Sequence, residues 1–189
     1  MTKKHNLYFL LFIILFQILH TEVYAQTNGD ELKWKADLKL KWTDFKALPD
    51  KSSPHAATTY SKLNYSYVSD ENGKQTIKVN CSFIKNKSWK KKEVVNAYIL
   101  THEQLHFDIT ELYARKARQV MAKYLKENAN SENAIAEIKQ IFSTLFAEKV
   151  NFDTQYDLET NHSRNKEKQE EWQIKVKDML KELVEFASK

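Results

Sequence analysis

Thr101-His102-Glu103-Gln104-Leu105-His106 lies inside a run from about Lys91 to about Glu127 that reads as one long helix. A helix advances roughly 100° per residue, so His102 and His106 stand about 40° apart on one face and one turn apart along the axis. Both imidazoles can reach a single ion. Glu103 projects about 60° to the side of His106, off the ligand face but placed to take a proton from a water held on that ion. With 6 His and 16 Glu in 189 residues, a shuffled chain would show His-Glu-x-x-His only about 0.016 times. The competing reading is a surface helix with two solvated histidines. Ile99, Leu100, Leu105, Phe107, Ile109 and Leu112 argue against it, because they surround the motif with apolar residues on nearly every side. Two histidines and a glutamate buried in such a helix need partners.

The amino terminus carries Lys3 and Lys4, an apolar run from Leu7 to Leu19, and Val23-Tyr24-Ala25 before Gln26. That order predicts a signal peptide over residues 1–25 and a single domain over 26–189, secreted or periplasmic. The apolar run is shorter than the roughly 20 residues of a membrane span and contains Gln17. Gln26, not a cysteine, stands directly after the cleavage point, so a lipid anchor is not available there and no stable membrane anchor is expected after cleavage. Cleavage removes two lysines and Glu22, which takes the formal charge from +5 to +4. So mild an excess speaks against nucleic acid as a partner. The lysines at 85, 87, 90, 91 and 92 read as a solvated loop and helix start. Cys81 is the only cysteine, so no internal disulfide is available. With only Gly29 and Gly73 in the chain, no glycine-rich phosphate loop can form.

The expected fold class is α+β. Trp34, Leu38, Leu40, Trp42 and Phe45 show partial two-residue alternation and suggest a β-rich start. A hairpin follows, with Leu63, Tyr65 and Tyr67 on one strand, a tight turn at Asn72-Gly73, and Ile77, Val79, Cys81 and Phe83 on the return. Each strand has one apolar face, which the long motif helix should cover, with Cys81 a small core residue. Two further helices are expected. One follows Ser131 as N-cap, with Ile135, Ile138, Ile141, Phe142, Leu145 and Phe146 at helical spacing, and ends in a short connecting segment. The other runs from about Ser163 to Phe186, with Trp172, Val176, Met179, Leu180 and Leu183 on one stripe.

A catalytic metal site commonly takes three protein ligands. On the motif helix Glu111 and Asp108 point away from the ion, so the third must come from elsewhere. After signal removal the remaining histidines are His55, in the Pro54-His55-Ala56-Ala57 loop, and His162, which ends Tyr156-Asp157-Leu158-Glu159-Thr160-Asn161-His162. Asp157 is read as an orienting partner for a ligand histidine, with direct ligation as its alternative. Tyr156 is a candidate donor to the oxyanion formed during hydrolysis, with plain packing as its alternative. Gln169 and Trp172 are expected to pin the last helix to the site.

His102-Glu103-Gln104-Leu105-His106-Phe107-Asp108, Glu111-Leu112-Tyr113-Ala114-Arg115, Tyr156-Asp157-x-x-Thr160-x-His162 and Gln169-x-x-Trp172 together resemble the bacterial family catalogued as domain of unknown function 922. Its members are described as secreted zinc-dependent proteases with a zincin motif. The resemblance extends from the Trp42-x-Asp44-Phe45 region and the Ala56-Ala57-x-Thr59 loop through Trp172. It implies His102, His106 and His162 as zinc ligands and Glu103 as the catalytic carboxylate. The chain departs from the family in having Ser163 where glycine is usual after the final histidine, and Leu105 where a small residue is common.

The expectation is therefore an exported metallopeptidase that uses Zn2+ and acts on a peptide or protein. Two alternatives remain. One is a non-catalytic periplasmic or surface module whose structural metal is held by Asp157 alongside the three histidines. The other is an amidase of cell-wall peptides. Specificity and oligomeric state are not written in the sequence.

Overall fold

The computed structural model describes residues 29–71, 74–93, 96–128 and 131–188. Among them lie the strands β1 (Glu31–Lys33), β2 (Ala57–Thr58), β3 (Ser61–Ser69), β4 (Gln75–Ile84) and β5 (Trp89–Lys90). The helices α1 (Ala97–Glu127), α2 (Ala134–Glu159) and α3 (Lys166–Glu182) follow. This is an α+β architecture. The expected signal peptide and the expected Asn72-Gly73 turn lie outside the described residues. No helix among the described residues is long and apolar enough to cross a membrane.

Alternation in the hairpin sets its register. Leu63 pairs with Cys81, Tyr65 with Val79 and Tyr67 with Ile77, so one face of the antiparallel β3–β4 pair is apolar throughout. β1 adds to the other edge of β4, giving the order β1-β4-β3, while β2 and β5 form a separate antiparallel pair. The apolar face rests on α1. Phe107 is fully buried and meets the Phe83 ring at 5.8 Å between centroids, and Phe45 closes on Phe83 from the other side at 5.1 Å. α2 adds Ile138 and Leu145 to this core, and α3 adds Trp172 and Val176.

Helix boundaries follow from capping. α1 begins at Ala97, later than Lys91, because Lys90 is paired in β5 and Asn96 caps the helix by accepting the Ile99 N–H at 2.9 Å. α2 does not stop near Phe146. It runs through the expected connecting segment to Glu159, and this continuation carries Asp153, Tyr156 and Asp157. α3 starts at Lys166 because Asn161, His162 and Ser163 take positive φ values of 47°, 49° and 69° and break the chain direction between the two helices.

The stretch from Trp34 to Phe45 is not strand. Beyond β1 its polar groups bond to β4 through the Trp34 N–H and the Cys81 carbonyl, to a local turn at Lys35–Leu38, to α1 side chains and to a 3-10 turn at Trp42–Asp44. Gln104 Oε1 accepts the Leu40 N–H at 2.8 Å, and Asp108 accepts from Trp34 Nε1 at 2.8 Å and from Gln104 Nε2 at 3.0 Å. Asp108 thus anchors the amino-terminal arm on the side of α1 away from the histidines.

Candidate metal centre

Helical spacing on α1 and the run of α2 past it bring three donor atoms together. His102 Nε2 and His106 Nε2 are 3.2 Å apart, and Asp157 Oδ1 lies 3.1 Å from the first and 3.3 Å from the second. Nitrogen and oxygen ligands held roughly 2.0–2.1 Å from a tetrahedral ion stand about 3.3–3.4 Å from one another. The triangle therefore has the size such an ion requires, and His102, His106 and Asp157 form a group that can hold a metal.

The far nitrogens decide what this triangle presents. His106 Nδ1 is 2.8 Å from Asp153 Oδ1, and Asp153 in turn holds Lys149 Nζ at 2.5 Å. His102 Nδ1 is 2.8 Å from Gln169 Oε1. Both partners are acceptors, so each ring donates through Nδ1 and turns an Nε2 lone pair inward. Two lone pairs and a carboxylate oxygen then face one another across about 3 Å. Such a cluster calls for a cation. Without one, a proton answers the demand: burial disfavours a charged His106, but its bonds to Asp153 and Asp157 outweigh burial and push it up to about 10. Asp157 is held well below the usual carboxylate range, burial being overcome by its bonds to His102 and His106. Asp153 is lowered too, through His106 and Lys149 against the cost of burial.

Glu103 is next to this triangle and buried, at 4% exposure, and its Oε2 accepts no hydrogen bond from the described residues. A buried carboxylate oxygen is costly to leave unpaired, so this atom asks for a proton-bearing guest. Glu103 and both histidines open onto a cleft of about 670 Å³. One lip is the Pro54–Thr59 segment with Lys91, and the other is His162, Ser163 and Arg164. Thr59 ties the first lip to the motif helix by donating to the Glu103 carbonyl at 3.1 Å.

Three expected roles are redistributed. The third corner belongs to Asp157, the residue read first as an orienting partner. His162, which the resemblance implies as the third zinc ligand, stands beside that carboxylate with Nδ1 3.5 Å from Asp157 Oδ1 and its ring edge-on to His55 at 4.5 Å. The left-handed turn over Asn161–Ser163 aims it at the rim of the cleft. Tyr156, a candidate donor to a substrate oxyanion with packing as its alternative, is fully buried behind His102. Its hydroxyl lies 2.7 Å from His102 Nδ1, donates to Gln169 Oε1 at 2.8 Å, and is kept protonated by burial. Tyr156 therefore orients a histidine.

Asp153 was not read from the sequence. Its signal is the Asp153-x-x-Tyr156-Asp157 spacing, one helix face, which is visible only if α2 continues past Phe146. Gln169 and Trp172 do fix α3 to the site, Gln169 through His102 and Tyr156, and Trp172 through a tilted ring contact with Tyr156 at 5.4 Å and a 2.7 Å bond to Glu159.

No family model, no curated protein and no solved structure matches this chain.

Proposed function

We propose that this chain is an exported zinc-dependent metallopeptidase. The observation that carries the reading is the buried, unpaired carboxylate oxygen of Glu103 beside a three-donor triangle, with both opening onto one cleft. A divalent ion in such a site supplies Lewis acidity toward a carbonyl and lowers the pKa of a coordinated water. His102, His106 and Asp157 would hold it, with Asp153 and Gln169 fixing the two rings. Zinc fits a set of two imidazoles and one carboxylate, a composition that leaves a position open for water.

Glu103 would then take a proton from the attacking water as the water oxygen bonds to the scissile carbonyl carbon. It returns that proton to the leaving nitrogen as the C–N bond breaks. The products are a carboxylic acid and an amine. Replacing Glu103 by Gln removes the base but no ligand. Peptidase activity should fall by about 10²-fold or more, while zinc content by mass spectrometry stays at that of the parent. Glu103→Gln protein that cleaves a peptide library as fast as the parent would reject the mechanism.

One observation favours a closed, structural metal site instead. His162 Nδ1 lies 3.5 Å from Asp157 Oδ1, near enough to serve as a fourth ligand after a side-chain rotation. The cobalt-substituted protein separates the two readings. An absorption spectrum that shifts when a peptide hydroxamate is added indicates an open position, and one that does not shift indicates four protein ligands.

A further inference from the structure

The cleft is unbalanced in charge once the centre is accounted for. Asp157 belongs to the triangle, Asp153 is shared between His106 and Lys149, and Glu103 faces the ion's position. With a divalent ion bound by one carboxylate and accompanied by Glu103, the centre is neutral. Two charged lining side chains are then left without a counter-charge, and both are cations. Lys91 on one lip has its ammonium on the Ser53 carbonyl, and Arg164 on the other has no acidic partner among the described residues. Asp50, which senses the Lys91 charge, spends its carboxylate on Ser52 at 2.6 and 2.9 Å.

A second observation lies next to Arg164. Ser163 lines the same wall, and among the described residues neither its N–H nor its hydroxyl finds a partner in the chain, although the flanking His162 and Arg164 N–H groups are both used. The left-handed conformation at Ser163 (φ 69°) presents that free N–H in the loop between α2 and α3. A guanidinium, a backbone N–H and a hydroxyl on adjacent residues make a donor set suited to a planar, two-oxygen anion.

We infer that Ser163 and Arg164, with Lys91 opposite, form a carboxylate-binding wall, so that the site prefers peptides bearing a carboxylate close to the bond cleaved. The inference rests on the peptidase reading above and names its substrate class. The carboxylate has two possible sources, the free end of a short chain and an Asp or Glu side chain.

Zinc-loaded full-chain protein carrying Glu103→Gln holds peptides without turning them over and is the material for the test. Fluorescence polarisation compares three labelled versions of one peptide: neutral with a free carboxyl terminus, neutral and amidated, and amidated with one Glu. At least one carboxylate peptide should bind about tenfold tighter than the neutral amide, and the one that does identifies the source. Adding Arg164→Gln should bring that ratio below about threefold, with Lys91→Gln lowering it in the same direction. Matching circular dichroism and zinc content certify that the variants are folded. Equal binding of all three peptides, a ratio that survives both substitutions, or no binding below about 1 mM overturns the inference. Carboxylate-selective binding by a parent protein that cleaves nothing would instead retire the peptidase reading and leave the carboxylate site standing.

Discussion

Asp157 Oδ1 lies within 3.3 Å of both inward-facing imidazole nitrogens, whereas His162 meets the centre through Asp157. Asp157→Ala should therefore abolish stoichiometric zinc binding, and His162→Ala should keep about one ion per chain. Metal content of the two purified proteins decides it, and the opposite pattern would make His162 the ligand. Asp153→Asn tests the layer behind. It keeps an acceptor for His106 Nδ1 but loses the charge, and competition with a chelator should show roughly 10- to 100-fold weaker zinc binding. These outcomes mark how far single residues were legible. His102, Glu103 and His106 follow from spacing inside one helix, where geometry is fixed by the backbone period. Choosing between Asp157 and His162 depended on where α2 ends and how the turn after it is wound, and neighbouring residues in a string do not encode that.

At the scale of elements, the decisive joint is the turn between α2 and α3. Three consecutive non-glycine residues with positive φ set the angle between the helices and carry His162 and Ser163 to the cleft. Each such residue costs about 1–2 kcal/mol against a right-handed backbone. Glycine at 163 would relieve that cost, partly offset by its greater freedom in the unfolded chain, for a net gain of about 0.5–1 kcal/mol. Ser163→Gly should accordingly unfold at a higher denaturant concentration than the parent. An unchanged or lower midpoint would mean that the serine side chain contributes more than its backbone costs. The serine where the resembled family usually has glycine was visible in sequence, but the conformation that gives it weight was not. The hairpin was the most legible element, because Leu63, Tyr65 and Tyr67 match Cys81, Val79 and Ile77 residue for residue. The far half of α2 was the least legible. Its inward face changes from Ile138 and Leu145 to Asp153, Tyr156 and Asp157, so the apolar period that announces a helix fades where the site begins.

The whole molecule is cross-linked at a point the motif does not reveal. Glu111, on α1 and pointing away from the ion's position, is fully buried and accepts from Arg115 Nε at 3.1 Å and Arg118 Nη1 at 3.0 Å. The two guanidiniums extend outward, Arg115 to the Leu180 carbonyl on α3, Arg118 to the Val79 carbonyl on β4 and the Phe186 carbonyl near the carboxyl end. One carboxylate thereby ties helix, sheet and chain end together. Removing it leaves two cations without their counter-charge in a low-dielectric setting, which should cost about 3–5 kcal/mol. Cys81, in β4 and only 3% exposed, reports the consequence, because burial, aided by the Glu111 charge, pushes its thiol well above the usual range and alkylation requires opening of the fold. At about 1.4 kcal/mol per decade, Glu111→Ala should raise the rate of Cys81 alkylation under native conditions by roughly one hundred to a few thousand-fold, with Glu111→Gln, which keeps one acceptor, between that and the parent. Equal labelling rates in all three proteins would show that the network holds nothing the apolar core does not already hold.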